Sequence, residues 1–144
     1  MYLLDTNVVS ELRKAKAGKA DKNVVAWAAG ASASSMFISA ITVQELEIGV
    51  LLAERRNPDQ GAILRRWLEA QVLPAFAERI LPVDTAVARR SATLHVPDPR
   101  PVRDGLIAAT ALVHGMPVAT RNVADFAPTG VEIVNPWQDA DDRT

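Results

Sequence analysis

The sequence predicts a single α/β domain, and three observations support that prediction. Short apolar runs alternate with segments of helical period, as in MYLL before NVVSEL and MFISA before ITVQELEIGVLL, which is the rhythm of strands laid between helices. A length of 144 residues, 49% of them hydrophobic, suits one core that removes most of the chain's surface from water. Four carboxylates, Asp5, Glu45, Asp104 and Asp125, each stand where an apolar strand or turn passes into a helix. Parallel sheets gather the carboxyl ends of their strands along one edge, so residues far apart in sequence can meet there.

Taken in order, Met1 to Leu4 reads as a strand, and Val8, Val9 and Leu12 as one face of a short helix. The small and charged stretch from Ala15 to Lys22 is a loop before a helix around Val24 to Ala29, with Trp27 available to the core. Met36 to Ala40 is the second strand. The helix from Thr42 to Arg56 carries Val43, Leu46, Ile48, Val50, Leu51 and Leu52, too many apolar positions for one stripe, so it packs on two sides. Asn57-Pro58-Asp59 turns the chain into a second helix with Ile63, Leu64, Trp67 and Leu68, ending near Pro74, and the pair reads as a helical hairpin.

Arg79 to Val83 is a strand suited to a sheet edge, because Pro82 cannot donate to a ladder. Asp84 caps a helix through His95, Pro101 starts another that stops at Gly115, and Pro117 to Thr120 and Val131 to Val134 are the last strands. Residues 1–138 form the domain, and the acidic segment 139–144 is expected to fray.

Composition excludes several classes. With no cysteine there is neither a disulfide framework nor a thiolate zinc site, and an intracellular, cytoplasmic protein is expected. No run of eighteen or more apolar residues and no basic leader with a long apolar stretch occurs, so no membrane association is expected. A net charge of −1 argues against a binder of polyanions that relies on overall basicity.

Each acid has a structural reading beside a chemical one. Asp5 can cap the first helix, and Thr42-x-x-Glu45 has the pattern of a capping box, in which the glutamate bonds back to the cap. Asp104 lies in a first helical turn, where the dipole favours a carboxylate, and Asp125, after Thr120-Arg121-Asn122, suits a turn. Their common placement at strand-to-helix edges favours a shared site. Clustered carboxylates repel one another, and a hard cation such as Mg²⁺ relieves the repulsion, keeps several waters and is commonly shared with substrate phosphates. Arg13, Arg103 and Arg121 lie near these acids in sequence and are candidates for phosphate contact. The doublets Arg55-Arg56, Arg65-Arg66 and Arg89-Arg90 read as solvated helix faces. His95 and His114 end helices and read as structural, and the dispersed Trp27, Trp67 and Trp137 suit a core or an interface better than a stacking platform.

Three blocks, MYLLDTNVVSEL, ISAITVQELEIG and RDGLIAATALVHGMPVATRNVADF, occur in order across nearly the whole chain, and together they resemble the PIN-domain ribonucleases, in particular the VapC-type toxins of toxin-antitoxin pairs. The resemblance implies a three-layer α/β/α PIN-like fold with a central, mostly parallel five-stranded sheet, and an endoribonuclease site dependent on Mg²⁺ or Mn²⁺. It implies that Asp5, Glu45 and Asp104 are the principal metal-site residues, with Asp125 a more peripheral fourth. Thr6, Asn7, Thr120 and Asn122 would support them. It further implies a homodimer and an antitoxin whose C-terminal segment packs along the toxin and blocks the acidic cleft, with operator DNA reached only through that antitoxin. Val8, Val9, Leu12 and the over-apolar helix are the candidate contacts, with filling of the core an equal alternative for them. The sequence departs from the family at Gln44, where relatives often carry a smaller residue.

Two other phosphate-handling families fit less well. A haloacid-dehalogenase-type hydrolase wants an aspartate where Asn7 stands, and a phospho-receiver domain wants an acidic pair near the first strand and a late lysine, for which Arg121 is a poor substitute. A PIN-fold partner in a DNA-binding regulatory complex, with little nuclease activity, is the remaining alternative.

Overall fold

The computed structural model describes residues 1–139; most of the segment expected to fray, from residue 140 onward, lies outside them. Five strands, β1 (Tyr2–Leu4), β2 (Met36–Ser39), β3 (Ile80–Leu81), β4 (Val118–Ala119) and β5 (Ile133–Val134), form one sheet in the order β3-β2-β1-β4-β5. Every neighbouring pair is parallel, and β3, the strand next to Pro82, is at an edge as expected.

Leu3 and Leu4 show why this sheet needs two helical layers. Adjacent strand residues point to opposite faces, and both leucines are fully buried. Leu4 packs with Val8, Val9, Trp27, Leu46, Val50 and Leu68, which come from α1 (Thr6–Leu12), α2 (Lys22–Ala29), α3 (Ala40–Arg56) and the turn following α4 (Pro58–Trp67). Leu3 packs with Ile107, Ala108, Ala111 and Phe126, from α7 (Val102–His114) and α8 (Val123–Phe126), with Leu94 of α6 (Thr85–Leu94) against the same cluster. After Trp67 the chain passes through a π-helical turn, Leu68–Val72, into α5 (Leu73–Ala75). At the far end of α7, Gly115 takes the left-handed conformation (φ 67°) that closes the helix.

The structure corrects one sequence reading and decides another between its two alternatives. First, α3 begins at Ala40, and its cap is Ser39, whose Oγ accepts the Ile41 N–H at 3.0 Å. Thr42 is therefore inside the helix and fully buried, so Thr42 and Glu45 form no capping box. The apolar run MFISAIT contains no break that marks where strand becomes helix, and the boundary falls before Thr42. Second, Val8 and Val9 are core residues, 0% and 4% exposed, which leaves Leu12 as the more accessible apolar side chain of α1.

The helical hairpin of α3 and α4 is close-packed. A Cβ at Gly61 would lie 2.4 Å from the Glu54 Cα, so only glycine allows this approach, and Arg65 spans the pair to Glu54 and Glu47. Thr42, Leu46 and Val50 bury one side of α3, whereas Ile48, Leu51 and Leu52 on the other remain exposed.

Candidate functional site

The strand order reverses between β1 and β4: the chain builds outward to β2 and β3 on one side and to β4 and β5 on the other. In open parallel sheets, ligands bind outside the strand carboxyl ends at such a reversal. Asp5 follows β1 and Thr120 follows β4, and the Thr120 hydroxyl donates to Asp5 Oδ2 at 2.8 Å. The other carboxylate oxygen accepts the Thr6 N–H at 2.8 Å, so Asp5 caps α1. The Thr120 oxygen accepts from the Asn122 N–H at 2.9 Å and from Asn7 Nδ2 at 3.4 Å, which leaves its one proton for Asp5.

Glu45 and Asp104 reach the same cleft from two other helices. Glu45, one turn into α3, accepts the Thr6 hydroxyl proton at 2.7 Å, with the buried Thr42 oxygen 3.2 Å from that hydroxyl. Asp104 lies in the first turn of α7, and its neighbour Arg103 approaches Glu45 Oε2 at 3.6 Å. Asp125 is placed differently. It lies on α8, exposed, and acts on Asp104 through its charge.

Burial and mutual repulsion set the electrostatics. Asp5 is 5% exposed; burial, offset by the hydrogen bonds from Thr120 and Thr6 and reinforced by the charges of Asp104 and Glu45, pushes its carboxyl up to about 6. Asp104 is shifted upward as well, by burial first and then by Asp125 and Glu45, with Arg103 opposing. These acids hold their charge against unfavourable surroundings, a condition that a cation relieves.

The cleft encloses about 420 Å³, and besides Asp5, Thr6, Asn7, Glu45, Asp104, Arg121 and Asn122 it is lined by Ser10, Glu11, Lys14 and Trp137. In sequence, Ser10, Glu11 and Lys14 are assigned no site role, and Trp137 reads as a core or interface residue. Ser10 and Glu11 lie three and four residues after Asn7, the spacing of one helical face, with Lys14 just past the end of α1, and that polar stripe is visible beside the apolar one. Trp137 carried no such signal. It is brought in from beyond β5, where Asn23 Nδ2 donates to its carbonyl at 2.8 Å. Arg13 does not line this cleft; its guanidinium lies 5.8 Å from the Trp67 ring centroid, and it borders both a groove shared with Thr6, Ser10 and Glu45 and the apolar groove lined by Leu4, Val9, Leu12, Trp67, Val72 and Phe76.

Among the described residues, no three acids or histidines are drawn together into a closed cage; the carboxylates line an open wall. That arrangement fits a hard cation that keeps much of its water shell, and the donors are all oxygens. The buried Asn7 Oδ1 has no hydrogen-bond partner although its amide nitrogen is engaged with Thr120. It offers one more oxygen at the cleft to an ion or its water.

Residues 2–128 match the PIN domain family. The chain is 41% identical to the VapC ribonuclease Y4jK of Sinorhizobium fredii, over 97% of this chain and all of that protein. It is also 41% identical to the toxin FitB of Neisseria gonorrhoeae, over 96% of this chain and all of that one. Its fold superposes on the gonococcal FitAcB crystal structure with a TM-score of 0.86 at 39% identity, covering 96% of this chain and 99% of the other. The structure of FitAB bound to an IR36 DNA fragment gives 0.85 at 38% identity, with 96% of each chain covered. The parallel five-stranded sheet, the two helical layers and these relatives agree: the chain belongs to the PIN-domain family, alongside the VapC and FitB toxins.

Proposed function

We propose that this protein is the toxin of a toxin-antitoxin pair and a divalent-metal-dependent endoribonuclease that hydrolyses RNA phosphodiester bonds in the acidic cleft. The observation that carries this reading is the meeting of Asp5, Glu45 and Asp104 on one cleft at the sheet's reversal point. Mg²⁺, or Mn²⁺ in its place, would be held by Asp5, Glu45 and Asp104, with Asp125 aiding a second ion or its water shell. When bound, such an ion supplies an activated water and offsets charge developing on the phosphate. Thr120 and Thr6 hold the carboxylates of Asp5 and Glu45 in fixed orientations, as partners outside the coordination sphere do in metal sites generally. Lys14 and Arg121 in the cleft wall, and Arg103 beside Glu45, supply local positive charge for the RNA backbone in a chain of net charge −1.

Incubating the purified protein with RNA and Mg²⁺ or Mn²⁺ tests the proposal. The wild type should cleave with the cation and stop with a chelator, and Asp5→Asn should lose at least about 100-fold, since the ion's contribution is several kcal/mol. A folded Asp5→Asn variant with full metal-dependent cleavage would refute the role given to Asp5.

The apolar groove beside α1, edged by Arg13 and Lys16, is the surface on which the antitoxin's C-terminal segment would lie on its way to the cleft. The exposed Ile48, Leu51 and Leu52 of α3 are candidates for a homodimer contact, and a monomer in light scattering would count against the dimer. No helix among the described residues is long and apolar enough to cross a membrane, and we place the protein in the cytoplasm.

The gonococcal FitAB complex bound to DNA favours a second reading, in which the chain lends its fold to a DNA-binding regulatory complex and has little nuclease activity. There too, operator DNA would be reached through the antitoxin. Absence of cation binding at millimolar Mg²⁺ or Mn²⁺ would favour it.

A further inference from the structure

We infer that Trp137 and Arg121 form a platform for an unpaired base of the RNA, which seats the strand beside the acids; the inference rests on the nuclease reading above. Trp137 follows β5 and is half-buried, yet it lines the cleft that Asp5, Glu45 and Asp104 share. Its backbone is fixed at both polar groups: the N–H donates to Asn135 Oδ1 at 3.0 Å and the carbonyl accepts from Asn23 Nδ2 at 2.8 Å. With the backbone held and the ring packed against the core cluster, the indole keeps its place without a bound strand. The exposed Arg121 guanidinium lies over the ring, 5.4 Å from its centroid, so a planar cation and an aromatic ring stand together at the wall of an acidic cleft.

Trp137 packs on one side against the core cluster that includes Leu4, Val8 and Trp27, and the rest of the half-buried ring is left at the cleft wall. Bases stack on aromatic side chains and on arginine planes, and protein recognition of single-stranded RNA depends on such splayed bases. Trp137 and Arg121 offer both surfaces together. The stack would fix one base while the adjoining phosphate meets Lys14. The occupant is therefore a single-stranded segment, since a base paired within a duplex has no free face to present.

Binding of a short single-stranded oligoribonucleotide in the presence of a chelator, followed by tryptophan fluorescence and anisotropy, reads the platform without cleavage. Wild-type fluorescence should be quenched on binding. Trp137→Leu should weaken binding about tenfold, within the range that truncating a stacking side chain costs, while Trp137→Phe stays within about threefold of wild type. With Mg²⁺ or Mn²⁺ present, the Leu variant should raise KM and leave kcat within about twofold. Equal affinity of the Leu variant and wild type, or equal loss in the Phe and Leu variants with melting unchanged, would overturn the inference. Should Trp137→Leu fail to fold, crosslinking of wild type with a 5-iodouridine oligonucleotide decides: adducts at Trp137 support the platform, and adducts found only elsewhere overturn it. Binding that behaves as described in a protein that cleaves no RNA with either cation would sink the nuclease reading and leave the platform standing.

Discussion

The two walls of α1 face different surroundings. On one, Asn7, Ser10, Glu11 and Lys14 line a cleft with the buried Asp5, whose carboxyl is pushed up to about 6; on the other, Val9, Leu12 and Arg13 line an apolar groove with Trp67, Val72 and Phe76. The groove wall belongs to the hydrophobic core and stabilises the fold, since Val9, Leu12 and Trp67 pack into the cluster on that face of the sheet. The cleft wall does the opposite, because it keeps a carboxylate where ionisation is unfavourable. One seven-residue helix, capped by that same carboxylate, joins the two. Stability and reactivity are therefore separable by mutation on either side of it.

The largest separation should come from Asp104→Asn. It changes an acid of the cleft without touching the core, so RNA cleavage should fall by about 100-fold or more, while melting temperature holds or rises. Cleavage near the wild-type rate would remove Asp104 from the site.

Thr120→Val comes next. The hydroxyl that donates to Asp5 is lost, and changes to such supporting partners cost about 10–100-fold in metal affinity or activity. Because that hydrogen bond lowers the Asp5 pKa, its removal should also move the pH midpoint of cation binding upward. An unmoved midpoint would mean that Thr120 does not control Asp5.

Trp67→Ala perturbs the other wall. If the antitoxin lies in the groove, its affinity should fall by about 30-fold, the scale of a buried aromatic anchor. Cleavage by the free toxin should stay within about twofold. Unchanged antitoxin binding in calorimetry would place the partner elsewhere.

These contrasts also show how much of the molecule was legible beforehand. Asp5 was readable because a short apolar strand ends at it, and the edge position of β3 followed from Pro82. Glu45 reads equally as a cap partner in sequence, because Thr42 looks like a helix start in a run where strand and helix are equally apolar; the packing that buries Thr42 and places Ser39 at the cap decides between the two. Trp137 was not readable as part of the site. It reaches the cleft through contacts with Asn23 and Arg121, and neither a contact 114 residues apart nor a cation over a ring leaves a periodic trace in sequence. Asp125 carried the same kind of motif as the other acids, yet it is exposed and acts on the site through Asp104.

The remaining effect concerns stability against pH. The folded-state value of Asp5, about 6, lies above the ordinary value of about 3.9 in an unfolded chain. Between those values the native state binds the proton more tightly. Its contribution to stability is full below about pH 4 and is lost as pH rises through about 6. Asp5→Asn removes this titration, so in metal-free buffer above pH 7 it should be more stable than wild type by about 3 kcal/mol. The gap should close toward pH 4 in denaturant unfolding. A gap independent of pH would show that Asp5 is ionised at no cost.

The central claim is that the buried acid and its neighbours form one cation site. Calorimetric titration of Mn²⁺ into the wild type and Asp5→Asn at neutral pH tests it most directly. A saturable heat in the wild type, with affinity at least about tenfold weaker in the variant, is the predicted result. Equal affinity in the two proteins, or no binding by the wild type at millimolar Mn²⁺, would contradict it.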